Sequence, residues 1–202
     1  MSRELKSHFK SDLEKEQKLS ALLDSYYKKH LKHYGFKRVY DIERQRSGAD
    51  VILKRKSNGK VYFVDEKAQL DYINDDLPTF AFELSYLKKG VLKKGWLYDT
   101  SKKTEFYALI TAIYSDAPGL YTSCKITMVN RKKLIALLAS RKLNSESFES
   151  RDLKQGRIII PELNSRTEGY VYFTKLKKAE KPLNLILKLD FLLEKGIAKR
   201  LI

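Results

Sequence analysis

One cysteine, Cys124, stands in 202 residues, so no internal disulfide can form. It reads as a small buried apolar residue in a chain kept reduced. Histidine is nearly as scarce. His8, His30 and His33 are too few for a zinc centre, although His30 and His33, at i and i+3 of an expected helix, could reach one metal; surface placement is the plainer reading. Long apolar runs are missing as well. Ala108 to Tyr114 is short, and Leu183 to Leu193 is broken by Asn184, Lys188 and Asp190. Neither reaches the roughly 20 residues that span a bilayer. The first residues, Met-Ser-Arg-Glu-Leu-Lys-Ser-His, hold no apolar stretch of a secretion signal. The expectation is a soluble, cytoplasmic chain with no membrane partner. Internal repeats, low-complexity tracts and long linkers are also lacking, so a single domain over 1–202 is expected.

Acidic charge is in short supply. Lys and Arg number 41 against 25 Asp and Glu, giving a net charge of +16 and a pI near 9.7. Apolar residues at 43% argue against disorder, and a length of 202 can bury a core without a metal or disulfides. A field this positive attracts phosphates before any specific contact forms. Nucleic acid is the first partner to consider and an anionic membrane surface the second.

Apolar spacing of three and four residues (Leu13, Leu19, Leu22, Leu23, Tyr26, Tyr27, Leu31, Tyr34) predicts a helix from about Leu5 to Tyr34, stopped by Gly35. An extended segment over Phe36 to Glu43 follows. Asp50 to Lys56 and Lys60 to Gln69 predict a hairpin turning through Asn58-Gly59. Phe80 to Tyr86 suits a strand or a helix start. A second hairpin is expected from Gly95–Asp99 and Glu105–Tyr114, then a strand over Lys125–Val129 and a helix over Arg131–Ser140. Arg141 to Gly156 reads as a loop, Arg157–Ile160 and Gly169–Lys175 as strands, and Pro182 as the start of a last helix. The order is that of an α/β or α+β domain.

The first hairpin carries the chemistry. With a two-residue loop, Asp50 faces Lys67 and Ile52 faces Asp65, so Asp50, Asp65, Lys67 and Gln69 share one face of the sheet. Two carboxylates beside a lysine suit Mg²⁺ or Mn²⁺, which keeps several waters and takes one or two protein carboxylates. Such an ion polarises a phosphoryl oxygen, and Lys67 would orient water or offset charge on phosphorus. The Glu66 side chain points away, but its backbone carbonyl can complete the coordination. The plain alternative is an Asp50–Lys67 cross-strand ion pair, which leaves Asp65 unexplained.

Gly48-Ala49-Asp50 followed by Val64-Asp65-Glu66-Lys67-Ala68-Gln69 resembles the PD-(D/E)xK nuclease superfamily, which includes restriction endonucleases and archaeal-type Holliday junction resolvases. The resemblance covers roughly residues 12–70, on a short, degenerate signature with Ala49 where the name has proline. It implies a restriction-endonuclease-like core, a mixed central sheet flanked by helices, over about 12–115, with 116–202 as an extension for substrate or a dimer partner. It implies a Mg²⁺-dependent endonuclease acting on DNA, with Asp50, Asp65 and Glu66 (through its carbonyl) on the metal, Lys67 catalytic and Gln69 supporting. The helix before the first strand would contribute a glutamate, Glu16 ahead of Glu14, and Glu83 is an accessory candidate.

Outside the hairpin, Arg131-Lys132-Lys133 opens a helix where positive charge opposes the macrodipole, which favours a phosphate contact. Lys88-Lys89 and Lys93-Lys94 around Gly90 read as solvated turns. Tyr114, Tyr121, Tyr170 and Tyr172 could stack on bases, though packing is the plainer use, and Trp96 reads as a packing anchor. The rival to a nuclease is a nucleic-acid-binding protein without catalysis. Residues 50–78, with 5 basic and 6 acidic side chains, are the one segment that is not basic, whereas 131–202 carries 17 against 8.

Overall fold

Alternating apolar residues build two sheets, and one long amphipathic helix covers a face of the first. The computed structural model describes residues 9–88, 90–149, 154–174 and 181–202; the side chains of 9–17, 88 and 149 fall outside that description. The chain begins α1 (Phe9–His30), β1 (Tyr34–Arg38), α2 (Ile42–Arg46), β2 (Val51–Arg55), β3 (Val61–Ala68) and a 3-10 turn (Leu70–Tyr72). It continues β4 (Thr79–Lys88), β5 (Val91–Lys94), β6 (Phe106–Ala117), β7 (Leu120–Asn130), α3 (Arg131–Ser140) and α4 (Ser145–Glu149). It ends β8 (Gly156–Ile158), β9 (Gly169–Phe173), β10 (Lys181–Lys188), α5 (Leu189–Glu194) and β11 (Ala198–Arg200). This is a mixed α/β chain. No helix among the described residues is long and apolar enough to cross a membrane.

The chain divides into two compact units, each assembled from separated segments. The first holds His8–Leu77, Ser101–Arg131 and Gly196–Ile202. Its six-stranded sheet runs β1-β2-β3-β6-β7-β11. All neighbours are antiparallel except β3 and β6, which pair in parallel with Asp65 beside Tyr107. Leu19, Leu23 and Tyr27, four residues apart on α1, pack on Val51, Val64, Ala108, Ile110 and Ile126 of one sheet face. Cys124 is buried in the same cluster, as expected. The second unit contains Pro78–Thr100 and Lys132–Lys195, with an antiparallel sheet ordered β5-β4-β10-β9-β8. Phe80, Phe82, Leu84, Val171, Leu183, Leu185 and Leu187 bury one side of it. The expected boundary near residue 115 falls inside β6, within the β6–β7 hairpin.

Several local expectations fail for identifiable reasons. The first helix ends at His30, and Gly35 lies within a strand, because Tyr34 and Phe36 pair with Arg55 and Leu53 of β2. Gly95–Asp99 is a turn closed by Asp99 N–H to the Gly95 carbonyl, and the strand that pairs with β4 is β5. Leu97 is buried from that turn, so its apolarity serves packing rather than a ladder. The loop expected over Arg141–Gly156 contains α4. Pro182 sits in β10, where Leu183, Leu185 and Leu187 alternate inward; only Leu189–Glu194 is helical. Phe80–Tyr86 is strand, in β4.

Candidate active site

The β2–β3 hairpin forms with a longer loop than a two-residue turn. Arg55 N–H bonds the Lys60 carbonyl, Gly59 N–H bonds the Arg55 carbonyl, and Val51 pairs with Val64. A type I′ turn needs positive φ at both central residues. Here Gly59 has φ 70° while Asn58 stays outside that region and accepts the Lys60 N–H on its side chain. The register therefore shifts by two, and the expected opposition of Asp50 to Lys67 is not made.

The shift brings the acids together. The ladder ends at Val51–Val64, and Asp50 N–H bonds the Val64 carbonyl out of step with it. The Asp50 side chain then takes the place of a backbone carbonyl: Glu66 N–H donates to Asp50 Oδ2 at 2.8 Å. Asp65 is near enough for its charge to act on Asp50, and Lys67 Nζ lies 2.6 Å from Asp65 Oδ1. Burial, and then the charge of Asp65, push the Asp50 carboxyl up to about 7 from 3.8, against the pull of the Glu66 N–H and Lys67. Asp65 is only 3% exposed. Gln69 follows where β3 gives way to the 3-10 turn, its N–H on the Ile110 carbonyl of β6.

The approach to Asp50 is fixed by Gly48. Its φ is 79°, and a Cβ there would stand 2.1 Å from the Thr104 hydroxyl, which donates to the Gly48 carbonyl at 2.9 Å. Lys103 N–H bonds the Ser47 carbonyl beside it. The bend is thus tied to the chain just before β6.

On the opposite side of β3, Glu66 enters a network that sequence reasoning missed. Tyr27 donates to Glu66 Oε1 at 2.7 Å, and Arg38 donates to Glu66 Oε2 at 2.6 Å and to Asp24 Oδ1 at 2.6 and 2.9 Å. Burial alone would lower the Arg38 pKa, but Glu66 and Asp24 hold it above its ordinary value. Burial and Glu66 raise the Tyr27 hydroxyl well above 10. The only signal in the sequence was the alternation that turns Glu66 toward α1. Its side chain is committed there, so only its backbone faces the acids.

The other expected residues belong to other elements or fall outside what is described. Glu16 and Glu14 fall on α1 among the side chains outside the description. Glu83 belongs to β4, in the other sheet. Arg131 opens α3 with its guanidinium on the Lys102 carbonyl, and Lys132 and Lys133 are exposed after it. Among the described residues, no three His, Cys, Asp or Glu side chains converge to hold a metal. Two acids and a backbone carbonyl still suit Mg²⁺ or Mn²⁺, whose remaining positions are filled by water or phosphate oxygens. The mutual effect of the two acids fits that donor set, since like charges held this close favour a proton or a cation between them. No protein-family model, curated protein or solved structure matches the chain.

Proposed function

We propose that the protein is a divalent-metal-dependent nuclease that hydrolyses phosphodiester bonds, with DNA as its first candidate substrate. The observation that carries this reading is the convergence on the β2–β3 hairpin of Asp50, bonded by the Glu66 N–H, and the buried Asp65, bonded by Lys67. A structural ion pair needs one acid. A second acid forced against it perturbs a pKa and weakens the fold, an arrangement that concentrates at functional sites. The PD-(D/E)xK resemblance agrees, as does the placement of Asp65 and Lys67 on the stretch of β3 that pairs in parallel with β6.

In this reading Asp50 and Asp65 hold Mg²⁺ or Mn²⁺ with the Glu66 carbonyl. When bound, the ion supplies Lewis acidity toward a phosphoryl oxygen and a lowered pKa for water. Asp50 loses its proton before it can act as a ligand. Lys67 offers a fixed ammonium to charge building on the phosphate and holds Asp65 in place. Gln69 supports the site from the end of β3. Arg131, Lys132 and Lys133 supply phosphate contacts.

A non-catalytic nucleic-acid-binding protein is the second reading, favoured by the direct Lys67–Asp65 pair, which already neutralises one acid. Cleavage of duplex, junction and single-stranded DNA with Mg²⁺ or Mn²⁺ separates the two. The nuclease reading expects Asp65→Ala and Lys67→Ala to lose cleavage while retaining binding. Equal residual cleavage in wild type and both variants overturns it, and salt-sensitive binding that ignores metal supports the second reading.

A further inference from the structure

One face of the second unit's sheet is partly exposed, and its side chains are those of a stacking platform. Tyr170 and Tyr172 alternate with the buried Val171 on β9, so both project from that face. Tyr172 is 38% exposed. Arg157, paired with Tyr172 in the ladder, lays its guanidinium 4.2 Å from the Tyr170 ring centre. On β10, Asn184 lies beside Tyr172, and Lys188 lies farther along the same face. Glu83 of β4, opposite Asn184, puts an acid on this face.

We infer that this face binds single-stranded nucleic acid, with bases stacked on Tyr172 and on the Arg157–Tyr170 pair and phosphates drawn to Arg157 and Lys188. Spacing favours a single strand. Side chains two apart on a strand stand about 7 Å from each other, roughly twice the 3.4 Å step of a duplex strand. Bases splayed from an unpaired strand match that interval, and stacked pairs do not. A guanidinium held flat on a ring also gives a second stacking plane, a mode common in single-strand recognition. Positive charge on the face complements phosphate, in a chain of net +16. The inference goes beyond the carboxylate site and does not depend on it, because binding here needs no metal.

Fluorescence anisotropy with labelled dT15 and U15, in EDTA, tests it. Wild type binds either oligomer more tightly than a 15-base-pair duplex. Tyr172→Ala weakens single-strand binding at least about fivefold, whereas Tyr172→Phe keeps it. Arg157→Gln lowers the slope of log K against log salt by about 0.7. The control Lys28→Ala/Lys29→Ala, on the exposed last turn of α1, removes two charges elsewhere and leaves the preference for single strands intact. Equal affinity for duplex and single strand, or wild-type affinity in Tyr172→Ala, overturns the inference. So does a loss in the control as large as that in Arg157→Gln. Because no metal is present, a dead nuclease with this binding pattern refutes only the proposed function, and a metal-dependent nuclease without it refutes only the inference.

Discussion

Asp50→Asn is expected to stabilise the metal-free protein, and only above acidic pH. The Asp50 carboxyl titrates near 7 in the fold and near 3.8 when exposed. The folded state therefore binds its proton more tightly than the unfolded state does. Well below pH 3.8 both states are protonated and the site costs nothing. As pH rises from 4 to 7, the unfolded chain releases the proton first, and stability falls by about 1.4 kcal/mol per pH unit. Across that window the loss is on the order of 4 kcal/mol, and it stays constant above pH 7. Asparagine keeps the acceptor for the Glu66 N–H and removes the titration, so the variant should gain several degrees in melting temperature at pH 8. At pH 4.5 the gain should shrink to about a quarter of that. Urea melts at both pH values, with and without Mn²⁺, provide the measurement. Millimolar Mn²⁺ should raise the wild-type midpoint at pH 8 and leave the variant unmoved. A variant less stable than wild type at pH 8, or a gain of the same size at pH 4.5, refutes the reasoning and returns the acids to an ordinary ion pair.

Two further expectations rest on the supports of the pair. Gly48→Ala puts a side chain into left-handed backbone and against the Thr104 hydroxyl, and should cost at least about 2 kcal/mol in a urea melt, with weaker Mn²⁺ binding by calorimetry. Glu66→Ala leaves Arg38 with Asp24 alone in a largely buried place, and should cost about 3 kcal/mol, while Glu66→Gln, whose one oxygen can still accept from Tyr27 and Arg38 Nη2, should cost less.

Much of this was legible wherever one interaction dominates. Leu19, Leu23 and Tyr27 recur every four residues because α1 has one face to bury, and the spacing announces it. Asp50, Asp65 and Lys67 were singled out because strand alternation is short-range. Their contacts were not legible, since a two-residue change of register keeps the same faces while exchanging every partner, and register depended on the φ of Asn58. Leu183–Leu192 satisfied both a period of two and a spacing of three to four, and pairing with β4 and β9 decided for strand over most of it. The Arg38–Glu66–Tyr27 network joins residues up to 39 apart in the chain, and nothing local marks them as partners.

The interleaving of the two units bears on how this molecule can be dissected. The chain passes from one unit to the other after Leu77, Thr100, Arg131 and Lys195. A cut after Arg131 would take β11 from one sheet and β8, β9 and β10 from the other. A cut after Lys195 would still remove the β11 ladder and the Leu201 and Ile202 bonds to Ile126. Each of these fragments lacks strands of a sheet it would need, so a loss of function in it would not locate the site. Testing the proposed cleavage and the proposed strand capture falls to point substitutions in the intact polypeptide.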